Sequence, residues 1–483
     1  MRKLAFTAVL LTASSLTGCN LAPGYKQPEV VMPPTYAAFG QPMDERARKL
    51  ATDVAWREFF VDERLKALIE LALVNNRDLA QSMARVAQAR AQYRIQASQR
   101  LPEIDANGGA TRIRQPLSVL GSASGSTSAV DAAEASGVTG VQYSQYTANV
   151  GVSSFELDLW GRVRNMAEGE RNRYLASEQG ARQYRLSLIA QVAATYYDIL
   201  AGQERLDLAG RTLEGRREGV RIAKLRLDAG VTSTVDYDQT VLLQTQTETE
   251  IAQQRQTLEQ KQNLLNVLIG GPLPDNLPAS RPFSFQQQIR PVEPGLPSTL
   301  LTARPDILQA EYQLRGANAD IGAARAAFFP TISLTAAFGF ASPALNGLFD
   351  TGNQSWNYGG SVSLPIFDWG RRAANVKLTR AKADELTASY QRTVQGAFQE
   401  VADALVARRR LGEQVLAVMR TVEAQTRLAH AARLRYDNGI AIYLEVLDAE
   451  RNLFTAEQQL IALRATALQN GVSLYTALGG GVE

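Results

Sequence analysis

The chain has 483 residues, of which 45% are hydrophobic and 20% charged, a composition typical of folded proteins rather than disordered ones. Its 51 lysines and arginines against 48 aspartates and glutamates give a net charge of +3, which argues against nucleic acid as a partner because that binding needs a basic face. One cysteine and one histidine exclude an internal disulfide and nearly exclude a metal site built on these residues. His430 lies in a helical pattern without a turn to expose it, so we predict no catalytic role for it.

Residues 1–18 have the pattern of a bacterial signal peptide. Arg2 and Lys3 precede an apolar run, Leu4 to Leu11, that is too short to span a membrane as a helix. The run leads to Leu16-Thr17-Gly18-Cys19, which resembles the bacterial lipobox, so we predict that Cys19 is lipidated and becomes the N-terminus. Asn20 follows, which by resemblance to the lipoprotein sorting rule favours the outer membrane. The alternative is an ordinary signal peptide with a cysteine there by chance.

The rest of the chain contains an internal repeat. Trp160-Gly161-Arg162 recurs at Trp369-Gly370-Arg371, an offset of 369 − 160 = 209 residues. The segment from Leu225 to Gly230 and the pair Gly270-Gly271 recur at the same offset. Upstream, around Pro102 and Pro330, the offset is larger because a loop rich in serine, alanine and glycine, Gly121 to Gly140, occurs in the first copy alone.

Proline placement predicts the domain boundaries, because helix interiors exclude proline. Prolines cluster in two segments and are absent from 117 to 271 and from 366 to 483. We predict a lipid-anchored, proline-rich leader at 19–60 and a proline-rich linker at 272–300. The first repeat then covers 61–271, with a β-hairpin at about 102–159, and the second covers 301–483, with a hairpin at about 330–367.

Each repeat is predicted to run helix, strand, strand, long helix and returning helix. At 1.5 Å per residue each long helix extends about 100 Å, and helices so long and so evenly polar need coiled-coil partners. Gly230 and Gly439 are predicted to end them. The predicted long helices are Arg162 to Leu227 and Arg371 to Tyr436, and the returning helices are Val235 to Ile269 and Tyr443 to Leu478.

The strands of the second repeat alternate apolar and small polar residues, from Thr331 to Phe340 and from Trp356 to Ile366. The matching strands of the first repeat, Ile104 to Ile113 and Val141 to Leu159, alternate less regularly. Strands of about ten residues suit a tilted membrane crossing. Because four strands cannot close a barrel, several chains must share one if the strands span a membrane. The alternative is an ordinary soluble hairpin with one wet face.

The chain resembles the TolC-like outer-membrane factor family, and within it the OprM/NodT-type lipoproteins. The resemblance rests on the lipobox, the two copies, FDWGRR at Phe367 to Arg372, and RYDNGIAIYLEVLDAERNLF at Arg435 to Phe454. It implies a mainly α fold with a β-barrel part: a homotrimer with a twelve-stranded membrane barrel on a long periplasmic coiled-coil tunnel. It also implies an outer-membrane exit duct for small molecules such as drugs, working with a periplasmic adaptor and an inner-membrane pump, commonly a proton-driven one.

The resemblance places a periplasmic gate just after Gly439, where acidic residues form rings at the closed tip. In a trimer these rings would have few cations to neutralise them, unless Arg451 pairs with some of the acids and braces the closed state. Ala441 departs from the family pattern, because TolC has a basic link partner there. The alternative to a gate is that the same acids belong to a solvated helix face, on which Asp448 forms an ion pair with Arg451. The residues assigned to the gate are Glu445 and Asp448 as the rings, Leu444 and Arg451 as their neighbours, and Tyr436 as the aromatic that takes part in tip links.

Three other functions stay open on the sequence alone. A periplasmic coiled-coil adaptor also combines a lipobox with long helices, but it lacks paired ten-residue hairpins in two copies. A protein-secretion duct belongs to the same family. A lipid-anchored enzyme is disfavoured because the sequence has no phosphate loop and no metal cluster, and we predict no cofactor beyond the lipid on Cys19. The resemblance also implies that the pump, and not the duct, selects the transported substrates.

Overall fold

The computed structural model describes residues 20–31, 54–116, 140–283, 289 and 300–480. Cys19 and the predicted signal peptide lie outside these residues, as does nearly all of the predicted loop from Gly121 to Gly140. The structure is 69% helical with a small sheet, as predicted for the fold class. The chain divides into two compact units, and each unit contains parts of both repeats. The sheet unit comprises residues up to Lys26, Ala89–Tyr174 and Gln313–Leu386; the helical unit comprises Gln27–Gln88, Leu175–Tyr312 and Thr387–Glu483.

The observed helices confirm the helices predicted from the sequence. Each of the four predicted long and returning helices is observed with both ends within one residue of its expected position. No helix of the described residues has an apolar stretch sufficient to cross a bilayer. The helices are α1 (Trp56–Phe59), α2 (Glu63–Asn75), α3 (Arg77–Ser98), α4 (Arg162–Asp228), α5 (Thr234–Ile269), α6 (Leu300–Ala303), α7 (Pro305–Ala326), α8 (Arg371–Asp437) and α9 (Tyr443–Ala477).

Four of these helices end in the same glycine cap. At the end of α4, Gly230 has φ +71°, its N–H bonds to the Leu227 carbonyl, and the Val231 N–H bonds to the Arg226 carbonyl. This double bond pattern is the Schellman motif, and glycine adopts its positive φ without a Cβ penalty. The helices α5, α8 and α9 end in the same way at Gly270, Gly439 and Gly479. The caps confirm Gly230 and Gly439 as stops and show the repeat in the backbone itself.

The sheet has four antiparallel strands in the order β1 (Asp105–Pro116), β2 (Gly140–Glu156), β3 (Thr331–Ser342) and β4 (Gln354–Ser363). Residues opposite each other in the register share a face, and over most of the sheet one face is mainly apolar and the other mainly polar. We call them the apolar face and the polar face. The apolar face carries Tyr146, Ala148, Val150, Val152, Phe155, Ile332, Leu334, Ala336, Phe338, Phe340, Trp356, Tyr358 and Val362. The polar face carries Asn107, Thr111, Thr147, Asn149, Ser333, Thr335, Ser355, Asn357 and Ser361. Toward the hairpin end of β1 and β2 it also carries two apolar side chains, Ile113 and Tyr143.

A β-bulge explains why the alternation in the first repeat looked weak. The register of β2 against β3 shifts between Val152 and Phe155. Without the shift, Phe155 would point to the polar face, because a slip of one residue exchanges the faces of a strand. The second repeat needs one correction: β4 ends at Ser363, so Leu364 and Ile366 lie beyond the strand in which they were predicted.

The helical unit packs around aromatic side chains at both ends of its sequence. The ring of Phe59 stacks on Tyr475 of α9 with centroids 4.2 Å apart, and the Tyr475 hydroxyl donates to the Val54 carbonyl at 2.7 Å. Phe60 is fully buried and forms a β-bridge with Ile289. Losing such an aromatic side chain typically costs about 3–5 kcal/mol. The end of the predicted leader and a part of the predicted linker therefore belong to this core.

In the sheet unit, residues 20–26 lie against the helices. A Cβ at Gly322 of α7 would lie 2.7 Å from the Ala22 Cβ, so glycine there permits the close approach. The point of attachment is near the start of α4, which follows the sheet directly. Three helix side chains donate hydrogen bonds to the segment: Asn165 Nδ2 to Asn20 Oδ1 (2.9 Å), Arg325 Nη1 to the Leu21 carbonyl (3.1 Å) and Asn318 Nδ2 to the Pro23 carbonyl (2.7 Å).

Candidate gate at the helix tips

The predicted gate residues lie in the helical unit, at the turn from α8 to α9, which we call the second tip. The equivalent turn of the first repeat, from α4 to α5, is the first tip. At the second tip the Gly439 cap ends α8, and α9 starts after Ile442, whose side chain makes no capping hydrogen bond. The first turn of α9 therefore receives no hydrogen bond from an N-cap side chain, unlike most helix starts.

Tyr436 connects the two tips. Its hydroxyl accepts a hydrogen bond from Nη1 of Arg226, which lies in the last turn of α4, and the guanidinium carbon of Arg226 lies 5.3 Å from the centre of the tyrosine ring. On the other side, the ring centroid of Tyr436 is 4.9 Å from that of Tyr443, at an interplanar angle of 53°. The prediction that Tyr436 takes part in a tip link stays a prediction for the assembled duct. Within the chain, its partner is an arginine.

Glu445 bridges the turn of the second tip. Its Oε1 lies 2.7 Å from Nη1 of Arg435, ten residues earlier in the last turn of α8. Asp448 pairs with Arg451 at 2.9 Å within α9, as expected for a helix face. The expectation that few cations neutralise these acids therefore needs correction, because each carboxylate has an arginine partner within the chain. All four side chains are about half exposed, so each pair contributes only about 0–1 kcal/mol.

Leu444 is the apolar member of the predicted gate. Its residue is 38% exposed in the single chain, beside the half-exposed Glu445. An exposed leucine gains free energy when a neighbouring chain covers it, because apolar surface then leaves water. The role of Leu444 as a neighbour that narrows the gate stays a prediction.

The helices of the two tips also contain a partly buried ionic group, Glu450 with Arg433 and Arg216, that the sequence did not single out. Burial raises the pKa of Glu450 above its ordinary 4.5, while the charges of Arg433 and Arg216 oppose the rise. Arg216 donates to the Leu243 carbonyl at 2.7 Å and to the Thr247 hydroxyl, and burial lowers its pKa. In the sequence these residues are only charged positions within predicted helices, and no motif marks them as a cluster.

The Tyr443 hydroxyl also belongs to this group. Burial, with a smaller contribution from the charge of Glu450, raises its pKa to about 12. Tyr443 therefore stays neutral throughout the physiological range and can act only as a hydrogen-bonding group there. The second tip thus combines neutral aromatic rings at its turn, half-exposed ion pairs, and the half-buried carboxylate of Glu450 farther along α9.

The first tip is built differently. Ser233 caps α5: its hydroxyl accepts from the Asp236 N–H at 3.2 Å, and the Asp236 carboxylate accepts from the Ser233 N–H at 3.4 Å. The Thr232 hydroxyl also donates to this carboxylate at 2.8 Å. These hydrogen bonds lower the pKa of Asp236. Asp236 occupies the position of Glu445 in the repeat, so the same place carries a helix cap in one copy and a cross-turn ion pair in the other.

The family of the chain follows from comparison with known proteins. The family described as outer membrane efflux protein matches residues 68–271 and 296–480, which cover most of both repeats. The chain belongs to this family. The match confirms the predicted family and with it the predicted class of function, an outer-membrane efflux duct.

Individual members of the outer membrane efflux protein family are similar along nearly their whole length. The toluene efflux pump outer membrane protein TtgI of Pseudomonas putida is 39% identical over 96% of this chain and 96% of its own length. The cation efflux system protein CusC of Escherichia coli is 37% identical over 97% of this chain and 98% of its own length. The open state of the MtrE outer membrane channel of Neisseria gonorrhoeae superposes with a TM-score of 0.84 and 34% identity, over 96% of this chain and 99% of that one.

Proposed function

We propose that this protein is the outer-membrane exit duct of a tripartite efflux pump, carrying small molecules such as drugs out of the cell. The family match and the similarity to efflux pump outer membrane proteins support the duct. Its partners are a periplasmic adaptor and an inner-membrane pump, which we expect to be driven by protons. Selection of substrates belongs to the pump, so relatives with names as different as toluene efflux pump and cation efflux system are consistent with one kind of duct.

The sheet supports a membrane barrel shared by three chains. Trp356, Tyr358 and Phe338 of the apolar face are 66%, 79% and 56% exposed in the single chain, which suits lipid better than water. Within the described residues, β1 and β4 pair on one side only, so the sheet has two open edges. Open edges are not tolerated in lipid. Three chains joined edge to edge give twelve strands and leave no edge, with the polar face lining the channel.

The lipid anchor is proposed on Cys19, one residue before the described segment. Asn20 is held by Asn165, four residues after the strand-to-helix junction at Gly161. If the strands cross the outer membrane, this junction lies at its periplasmic surface. Acyl chains on Cys19 would then enter the bilayer beside the barrel wall, each buried CH₂ contributing about 0.8 kcal/mol. The protein would be anchored in the outer membrane, with its helices extending into the periplasm.

The gate is proposed at the second tips of the three chains. In a trimer, Glu445 and Asp448 supply six carboxylates around the axis, and Leu444 narrows the opening beside them. The pairs with Arg435 and Arg451 brace this closed arrangement and weaken its field. Because both pairs are half exposed, an adaptor or pump can exchange them for other partners at little cost in free energy.

Native mass spectrometry of the full-length protein, extracted from outer membranes in mild detergent, tests assembly and anchor together. We expect a homotrimer, with each chain beginning at Cys19 and carrying the mass of its acyl chains. A monodisperse monomer would end the proposal of a duct. A trimer without the added mass would leave the duct intact and remove only the anchor.

A further inference from the structure

Two arginines interrupt the apolar face of the sheet. The register pairs Arg112 with Ser144 and Arg114 with Gln142, and places all four residues on that face. Within the four described strands, Arg112 and Arg114 are the only charged residues on the apolar face, and their cross-strand partners are neutral. Both arginines are exposed in the single chain. A charge on a lipid-facing surface needs a reason, because it is costly wherever hydrocarbon surrounds it.

The position of Arg112 and Arg114 along β1 gives a reason for their presence on the apolar face. Tyr146 pairs with Ala110, so Arg112 and Arg114 lie beyond this tyrosine on the same face, toward the end of the hairpin at Pro116 and Gly140. Aromatic residues mark the level of the bilayer interface in membrane strands, and the cost of a lipid-facing arginine is lowest there. The pair therefore lies at the level of lipid headgroups rather than acyl chains.

The helices connected to the hairpin of β1 and β2 indicate in which leaflet of the membrane these headgroups lie. At the opposite end, β1 is preceded by α3 and β2 is followed by α4. With the helices in the periplasm, as in the function proposed above, the arginine end of the hairpin faces the cell exterior. The headgroups of that leaflet belong to a phosphorylated glycolipid. Arginine suits such a ligand, since its planar guanidinium binds phosphate through two parallel hydrogen bonds.

We propose that Arg112 and Arg114 form a binding site for the phosphate groups of outer-leaflet lipid A. The two side chains stand two residues apart on one strand, about 7 Å, so both guanidinium groups can approach one phosphate or two neighbouring ones. Gln142 and Ser144 add hydrogen-bonding groups beside them. The bound glycolipid would surround the barrel at its outer rim. This inference rests on the membrane orientation given by the proposed function.

The test is a titration of the purified trimer in neutral detergent, with bound ligands counted by native mass spectrometry. The ligands are lipid A, dephosphorylated lipid A with the same acyl chains, and inorganic phosphate. The variant is Arg112→Gln with Arg114→Gln. The matched control is Lys377→Gln with Arg380→Gln, which removes the same charge from exposed positions of α8 in the same unit.

We expect the arginine variant to bind lipid A at least tenfold more weakly than the parent, and the control to bind it as the parent does. Dephosphorylated lipid A should bind the parent and the arginine variant equally weakly, and inorganic phosphate should not compete. Unchanged lipid A binding in the arginine variant overturns the site. So do an equal loss in the control and competition by inorganic phosphate, which would indicate a free-anion site instead.

Conductance of the same trimers in planar bilayers separates the two proposals. Parent and variant should conduct alike, because both arginines lie on the face away from the channel. A conducting trimer with unchanged lipid A binding contradicts the lipid site alone. A parent protein that forms neither a trimer nor a conducting pore contradicts the proposed function itself.

Discussion

The two tips of the molecule share a backbone and differ in how their side chains hold it. Gly230 and Gly439 have φ values of +71° and +73° and the same pair of capping hydrogen bonds. Beyond them, the first tip starts its returning helix with the capping box of Ser233 and Asp236. The second tip has Ile442 at that position and holds its turn with an ion pair between Glu445 and Arg435.

The difference separates a fixed tip from an exchangeable one. A capping box holds the first turn of its own helix, and losing its hydroxyl costs about 1 kcal/mol of helix stability. A half-exposed ion pair leaves nothing buried when it breaks, because water solvates both charges. The second tip can therefore change its partners without unfolding its helices. This is the property that a gate needs, and the first tip lacks it.

The largest expected effect is on ion selectivity. In planar-bilayer recordings, Glu445→Ala with Asp448→Ala should lower cation selectivity severalfold and raise the conductance, because it removes six carboxylates from the trimer and leaves the charges of Arg435 and Arg451 without their partners at the opening. The comparison variant, Asp236→Ala with Asp238→Ala, removes two acids from the first tip and should leave selectivity close to that of the parent. If the two variants behave alike, the constriction lies elsewhere and Glu445 and Asp448 belong to an ordinary solvated face.

A smaller effect is expected on the stability of the helix starts. Ser233→Ala should destabilise the start of α5 by about 1 kcal/mol, the usual cost of losing an N-cap hydroxyl. Hydrogen exchange of the backbone amides at 234–240, followed by mass spectrometry, measures this locally. Ile442→Ala is the control, since Ile442 provides no side-chain cap, and exchange at 443–449 should hardly change. Faster exchange in the control than in Ser233→Ala would contradict the contrast between the tips.

The smallest effect is a difference in pH response. The raised pKa of Glu450 means that the folded tip takes up a proton while the unfolded chain is still ionised, so the second tip gains stability as the pH falls from 7 toward 4.5. The hydrogen bonds that lower the pKa of Asp236 stabilise the first tip fully above pH 3.8, and this stability is lost below it. Between pH 7 and pH 5, amide exchange corrected for its intrinsic pH dependence should therefore slow at the second tip alone.

Glu450→Gln removes the titrating group with little change in shape and should abolish the response. Arg433 and Arg216 face Glu450 and remain charged in this range, and Tyr443, with a pKa of about 12, remains neutral. A response that survives in Glu450→Gln would assign it to another group.

Much of the molecule followed from local sequence patterns. The 209-residue offset, the glycine stops and the absence of proline predicted α4, α5, α8 and α9 nearly to the residue, because helix formation and capping depend on neighbours within about four positions. The alternation of apolar and polar residues predicted β3 and β4, although β4 ends earlier than expected. Family membership also followed from the sequence, since its motifs are contiguous.

Tertiary structure decided the features that depend on distant partners. Only the pairing of β2 with β3, from different repeats, reveals the bulge that keeps Phe155 on the apolar face. The link from Arg226 to Tyr436 joins residues 210 positions apart, and Asn20 meets Asn165 145 positions away. The partners of the predicted gate acids were likewise unreadable, because Arg435 reaches Glu445 only after the glycine turn folds α9 back along α8. The sequence determines which groups each side chain can offer, whereas the packing of the helices and strands determines which partners lie within contact distance.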